Sequence, residues 1–265
     1  MKPNLPFRLG STSYVYPADI LPNVRQLAPV VDDVELVLFE VDDGPNNLPT
    51  PDVIAELREL AAAHDLTYTV HLPLDLHLAA DEDARRSPSI DKACRVIEST
   101  RSLNPPAYVV HLDGQEIAAG ATPTALARWR EQARRSLDIV GQEAGDLRLL
   151  AVENLENYDP AAFLPLVEQL PISLCIDVGH FLKNETDPLP FLAMHLDRAT
   201  VLHLHGSQGG RDHRGLNLIP PEQLKDVLRV LLSSGYHGVL TLEVFTERHF
   251  FPGRELVISL MEELC

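Results

Sequence analysis

Lysine is scarce in this chain. Only Lys2, Lys92, Lys183 and Lys225 stand among 22 bases, and none closes a predicted strand, so Schiff-base chemistry has no candidate. Cysteine is scarcer still. Cys94, Cys175 and Cys265 are odd in number, widely spaced and without a CxxC pair. That pattern excludes a disulfide framework and predicts reduced thiols in a cytoplasmic setting. None of the three ends a predicted strand, which removes a cysteine nucleophile, and Cys175 reads as a small core residue within an apolar strand. No stretch approaches the ~18 consecutive apolar residues of a membrane span. The opening "MKPNLPFRLG" lacks the apolar run of a secretory signal. Also missing are a GxGxxG after the first strand, a P-loop and a GxSxG elbow, so nucleotide-fold and serine-hydrolase readings have no support.

Acids outnumber bases 39 to 22, a net charge of −17. Nucleic-acid affinity rests largely on neutralising phosphates, so this balance opposes DNA or RNA as a partner. A small anionic substrate is compatible where a bound metal reverses the sign locally.

What is present is alternation. Apolar runs at 7–12, 34–40, 67–71, 107–111, 149–153, 173–177, 200–205 and 239–243 alternate with amphipathic helical patterns. Continuous apolar character suits parallel strands covered on both faces. In "TPDVIAELRELAAAH", Thr50 predicts a cap, Pro51 fits the first turn, and Val53, Leu57 and Leu60 recur at helical spacing. Helices are expected likewise at "SIDKACRVIEST", "TALARWREQARRSLDIV", "PEQLKDVLRVLLSSG" and "GRELVISLMEEL". With 45% apolar residues in 265, the expectation is one domain spanning residues 1–265, an α/β fold of the single (β/α)8 TIM-barrel type.

The chemistry gathers at the strand ends. Successive predicted strands end at His71, His111, Glu153, Asp177, His205 and Glu243, where a barrel places its active site. A lone polar residue there is usually a strand meeting solvent; six metal-binding types in succession make that explanation poor. In "SLCIDVGHF", Gly179 is read as allowing a tight turn that returns His180 to the cavity beside Asp177. His203 shares a strand face with His205, so the two point the same way. Mixed imidazole and carboxylate donors suit Zn²⁺, Mn²⁺ or Fe²⁺, with one to three ions possible.

Further candidates surround this set. After strand seven, "HGSQGGRDHRG" reads as a flexible basic loop, either one in which Asp212 and His213 add donors and Arg211 or Arg214 holds an anionic group, or a simply solvated one. Tyr14 and Tyr16, past strand one, are placed to stack on a planar ligand, although rim aromatics need none. Glu40 closes strand two and is a candidate supporting acid, although Asp42 and Asp43 beside it suggest a simple polar turn. His64, His77, His195, His237 and His249 are taken as surface or satisfied core histidines.

In this order, "VHLPLD", "VVHLDG", "VENLE", "IDVGH", "LHLHG" and "TLEVF" resemble the xylose isomerase-like TIM barrel superfamily. That group includes the family-2 AP endonucleases and sugar phosphate isomerase-epimerase-like proteins, and the resemblance runs from about Arg8 to Phe245. It implies His71, His111, Glu153, Asp177, His180, His205 and Glu243 as metal ligands. The nuclease branch carries an Asp-x-His pair after strand seven; here Asp212 and His213 are adjacent, which departs from a three-metal nuclease centre. The isomerase branch holds one ion on donors from strands five to eight, also present here. The segments "RLGSTSYVYPADILPNV", "VDDVELVLFE" and "TYTVHLPLDL" are similar to the cobamide-remodelling phosphodiesterases. That likeness implies hydrolysis of a phosphodiester in a small molecule, the nucleotide loop of a corrinoid. Glu153, His180, His213 and Glu243 would then be catalytic, and Tyr14, Tyr16, His203, Arg211 and Arg214 substrate-binding. The alternative is metal-dependent isomerisation or epimerisation of a keto-sugar or sugar acid. Either way the partner is a small molecule, corrinoid or sugar, with no membrane; the sequence leaves the oligomeric state open.

Overall fold

The apolar runs form parallel strands that close into a ring. The computed structural model describes residues 2–41, 46–117 and 121–264; Asp42, Asp43 and Cys265 lie outside them. The first strands are β1 (Arg8–Thr12), β2 (Asp33–Val37), β3 (Val70–His71), β4 (Tyr108–Val110) and β5 (Leu150–Glu153). They are followed by β6 (Ser173–Asp177), β7 (Ala199–Leu204), the hairpin strands β8 (Gly206–Gln208) and β9 (Arg211–Arg214), and β10 (Val239–Leu242). The barrel order is β1-β10-β7-β6-β5-β4-β3-β2, and β1 pairs with both β2 and β10 to shut it. Helices α1 (Ile20–Leu27), α2 (Pro51–His64), α3 (Asp83–Thr100), α4 (Pro123–Ala144) and α5 (Leu164–Gln169) lie between the early strands. The later ones are α6 (Val178–Lys183), α7 (Leu189–His195), α8 (Pro221–Ser234) and α9 (Glu247–Leu264). This is a (β/α)8 barrel.

Local chemistry explains the boundaries. Thr50 Oγ1 accepts from the Val53 N–H, and Thr122 caps α4 in the same way, each with proline in the first turn. Helix α3 begins at Asp83, six residues before the expected Ser89, and carries Pro88 inside it. Helix α9 likewise starts ahead of Pro252. A proline near the start of a helix removes one hydrogen bond without ending it, so a pattern that begins after the proline misses the opening turns. Strand β3 is shorter than expected, with Thr67 making only an isolated bridge to Asp33. The segment after β7 is not a loose loop: β8 and β9 pair antiparallel across Gly209 and Gly210, both at positive φ.

Alternation sorts the strand residues into two sets. Outward side chains pack against the helices, with Leu9, Val34, Leu36, Val152, Leu202 and Leu240 among the fully buried. Inward ones fill the ring in layers. Ala107, Val109, Ala151, Cys175 and Val201 form a small apolar layer of their own. Asp33, also inward, is fully buried; Thr67 Oγ1 and the Thr69 N–H and hydroxyl donate to its carboxylate. Two residues further along the same strand, Glu35 is fully buried as well.

Candidate metal centre

His71, Glu153 and Asp177 close β3, β5 and β6, while His111, His205 and Glu243 stand one residue beyond β4, β7 and β10. All face the C-terminal end of the barrel. Glu153 lies at the centre of the group. Its Oε2 is 2.8 Å from His111 Nε2 and 3.3 Å from His71 Nε2. Its Oε1 is 3.1 Å from His203 Nδ1. Donor atoms of His71, His111 and Glu153 lie within 4.8 Å of one another, as do those of Glu153, Asp177, His203 and Glu243. Donors held at about 2.0–2.2 Å from one ion stand roughly 3–4 Å apart, so both groups fit a divalent metal. Glu153 belongs to both.

The histidine tautomers fit the same purpose. His71 Nδ1 donates to the Leu72 carbonyl at 2.7 Å and His180 Nδ1 to the Asn154 carbonyl at 2.9 Å. His205 Nδ1 faces the Gly206 carbonyl and His213 Nδ1 the Glu243 carbonyl, each at 3.2 Å. His71, His180 and His213 thus fix Nδ1 on a backbone carbonyl and leave Nε2 to act as a donor, the usual support of a ligating imidazole, while His205 Nδ1 also accepts from the His213 N–H at 3.2 Å. A third group, His180, His205 and His213, and a fourth, Glu156, His180 and Asp212, also bring donors within 4.8 Å.

The two strand-seven histidines divide their work by depth. His203 is fully buried, with Nε2 2.9 Å from Glu35 and Nδ1 3.3 Å from Glu243 Oε2. Its ring lies beneath the carboxylates, not on a surface that a substrate would meet. His205 Nε2 is 3.2 Å from Asp177 Oδ2 and 4.0 Å from Glu243 Oε2. Glu243 Oε2 and Glu35 Oε1 are buried without a hydrogen bond, an arrangement that a cation or a proton would satisfy.

Asp177 and His180 meet without the expected tight turn. Helix α6 starts directly at the strand end, and Asp177 Oδ1 caps it by accepting from the His180 N–H at 2.8 Å. Gly179 is needed for another reason: a Cβ at this position would overlap the His205 ring.

Charge is balanced within the cluster. Burial alone would raise Glu153, but His203 and His111 outweigh it and hold the carboxyl well below its ordinary range. The same contest at Glu243 is won by His203 and His213. Burial opposes protonation of His180, yet Asp177 and Glu153 push it up to about 9. Against the same opposition, Glu243 and Asp177 push His213 up to about 9. A divalent ion entering here would displace protons rather than add uncompensated charge.

Several expected residues sit apart from this cluster. Asp212 Oδ2 accepts from Lys183 Nζ at 2.6 Å, and the same ammonium reaches Glu156 Oε1 at 3.1 Å, so the group of Glu156, His180 and Asp212 already holds a positive charge. Tyr14 and Tyr16 line a separate rim cavity of about 790 Å³ with Phe245. Asn47 Nδ2 donates to the Tyr14 hydroxyl at 2.7 Å. That cavity borders the centre through Phe245, whose ring lies 5.3 Å from that of His213. Arg211 is exposed and Arg214 half-buried on β9. Glu40 is not inside the barrel: it lies beyond β2, bridges to Asn46 and receives Arg95 at 3.1 Å. The acid that β2 sends to the cluster is Glu35, two residues beyond the inward Asp33 and 2.9 Å from His203; a strand running on to Glu40 conceals it. Two histidines taken as surface or core residues also have surroundings worth noting. His77 Nδ1 is 2.7 Å from Asp113 Oδ2, and His195 lines a cavity beside His180.

Comparison with known proteins agrees with this architecture. A family model described as xylose isomerase-like TIM barrel matches residues 31–264. No curated protein matches the chain. A D-tagatose 3-epimerase-like protein superposes with TM-score 0.81 at 20% identity, covering 97% of this chain and 98% of that one. A 3-keto-D-glucoside 4-epimerase from E. coli gives 0.71 at 16% identity, with 97% and 99% covered. Endonuclease IV from Thermus thermophilus gives 0.70 at 18% identity, again with 97% and 99% covered. Identities this low speak for a common fold, not a common substrate. With the family model spanning residues 31–264 and the ring closed as described, the chain belongs to the xylose isomerase-like TIM barrel family.

Proposed function

We propose that the chain is a metal-dependent isomerase or epimerase of a keto-sugar or sugar acid. The observation that carries this reading is the meeting of Glu153, Asp177, His203 and Glu243 within 4.8 Å, two glutamates among them. The donor chemistry suits Zn²⁺, Mn²⁺ or Fe²⁺. A divalent ion bound there supplies Lewis acidity, drawing charge from a substrate carbonyl and hydroxyl so that the carbon beside the carbonyl loses its proton more readily. Glu153 and Glu243 are held ionised by their histidine neighbours, which suits them to take that proton and to return one. His180 and His213 turn Nε2 toward the same space and orient a substrate hydroxyl. Asp177 keeps His205 and the start of α6 in register with the group.

Lys183 supports this reading over a three-ion centre, because its ammonium already neutralises Asp212 and Glu156. The epimerases among the similar structures support it too. The test is solvent-deuterium incorporation into a panel of ketoses and sugar acids by metal-loaded protein. Label beside the carbonyl is expected, and none in any substrate overturns the reading.

A second reading, hydrolysis of a small-molecule phosphodiester, is favoured by the group of His71, His111 and Glu153. An ion there, sharing Glu153 with the first, would create the paired arrangement that phosphate chemistry uses. The corrinoid nucleotide loop is the finer form of this reading, with Tyr14 and Tyr16 lining the wide rim cavity and Arg211 or Arg214 meeting the phosphate. Metal-loaded protein incubated with several cobamides would release the lower nucleotide; unchanged chromatograms throughout would end it. In both readings the partner is a small molecule, and the charge of −17 opposes nucleic acid. No helix among the described residues is long and apolar enough to cross a membrane.

A further inference from the structure

Beside the metal-capable group lies a cavity of about 520 Å³ that none of the chemistry above uses. Its size is that of a small-molecule site in its own right. One wall is an aromatic row from α6 and α7: Phe181 and Phe191 have ring centroids 5.1 Å apart, and Phe191 and His195 4.6 Å apart. The facing wall, from the segment after β5, presents Leu155, Tyr158 and Leu164. Asn154 and His180 line the cavity and also belong to the centre, where His180 Nδ1 holds the Asn154 carbonyl. One molecule can therefore touch both.

Two features define what fits. The acids Glu156 and Asp159 line the cavity and no lysine or arginine does; Lys183 pairs with Glu156 and His180 stands at the end shared with the centre, so a phosphate or carboxylate tail lying along the aromatic row meets Asp159 with no cation of its own there. Within this otherwise aromatic row, His195 Nε2 is buried without a hydrogen-bonding partner. A buried polar atom left unpaired is costly, and a turn of the imidazole ring that brings Nε2 to the cavity surface would let a ligand hydroxyl or ring oxygen relieve it.

We infer that the cavity is a second subsite of the same active site, taking a neutral, flat-faced ring joined to the sugar that the metal centre holds. Aromatic rings and the apolar faces of sugar rings share this shape, and both stack on aromatic side chains. The substrate is then a ring-bearing sugar, not a free monosaccharide or a sugar phosphate. The inference rests on the isomerase reading for the sugar part; the ring part rests on the cavity alone.

Trp129 is the only tryptophan, and its ring packs edge-on against Tyr158, 5.8 Å between centroids, so its fluorescence reports on the cavity. Full-length metal-loaded protein is titrated with methyl glucoside, phenyl glucoside, cellobiose and glucose 6-phosphate. Phenyl glucoside and cellobiose are expected to bind roughly three- to tenfold more tightly than methyl glucoside, the scale of one aromatic stacking contact. Glucose 6-phosphate should gain nothing. Phe191→Ala removes the middle of the aromatic row and should erase the gain for both ring ligands. His195→Phe keeps the row and loses the polar atom, so cellobiose should lose its gain while phenyl glucoside keeps it. Equal affinity of the methyl and ring-bearing ligands, no binding by any of them, or tightest binding by the phosphate overturns the inference. Deuterium incorporation is read separately on free ketoses, so failure of the subsite and failure of the isomerase reading give different results.

Discussion

Replacing Asp33 with asparagine isolates the cost of a buried carboxylate in the barrel floor. Burial raises the Asp33 pKa from 3.8 to about 6, even though hydrogen bonds from Thr67 and Thr69 pull it down. The folded state therefore holds this proton more tightly than the unfolded chain. Below pH ~4 the carboxyl is neutral in both states, and the stabilisation from its raised pKa is fully present. That stabilisation is lost as pH rises through about 6. A shift of about two units amounts to about 3 kcal/mol once ionisation is complete, and to roughly half of that at pH 5. Asparagine keeps the shape, accepts from Thr69 and donates to the Thr67 hydroxyl, but never ionises. The assay is urea unfolding of metal-free wild type and Asp33→Asn at pH 5 and 7.5 at constant ionic strength. The stability difference should move in favour of the variant by about 1.5 kcal/mol between the two pH values. A difference that does not change with pH refutes the reasoning, whatever its absolute size.

Glu153→Gln should lower deuterium incorporation by about 10²–10⁴-fold, the scale of a lost acid-base group; retention of most of the exchange rate would show that Glu153 moves no proton. Gly179→Ala forces the His205 ring aside. It should weaken metal binding by about 10–100-fold, as lost support of a ligand does, measured by competition with a chromophoric chelator while circular dichroism confirms the fold. Lys183→Met frees Asp212 and Glu156 of their ammonium partner and should raise the divalent metal content by one ion per chain in elemental analysis. An unchanged count would mean that Lys183 does not stand in the place of an ion.

Much of the architecture is legible in the sequence because parallel strands covered by helices leave a strong local trace. Continuous apolar runs such as "LLAVE" and "SLCID" form β5 and β6, and the acid closing each faces the centre. Strand ends carry such information because the pleat fixes which way the last side chain points. What escapes is set by contacts far apart in the chain. Glu35 looks like an interruption in an apolar run, and only the closed ring brings it to His203, 168 residues away. The role of Gly179 depends on the His205 ring, which arrives from another strand, so the Asp-Gly pattern alone suggests a turn. Lys183 has no visible task along the chain, since Asp212 lies 29 residues on. His195 offers no partner in sequence because the ring it packs against, Phe191, lies four residues back on the same helix and carries no polar atom. The β8–β9 hairpin is hidden by its glycines, which mark loops and tight hairpin turns alike.

The side chain of Asp177 serves two masters. One oxygen tethers the first turn of α6, while the other looks toward His205 and the cluster. Secondary structure and ligand affinity are thereby linked, and such linkage runs both ways. Whatever steadies that short helix would tighten the grip on any ion held there, and whatever occupies the cluster would steady the helix. Because α6 also supplies Phe181 to the neighbouring cavity, an occupant there would be felt at the cluster through the same carboxylate, without any large movement of the barrel.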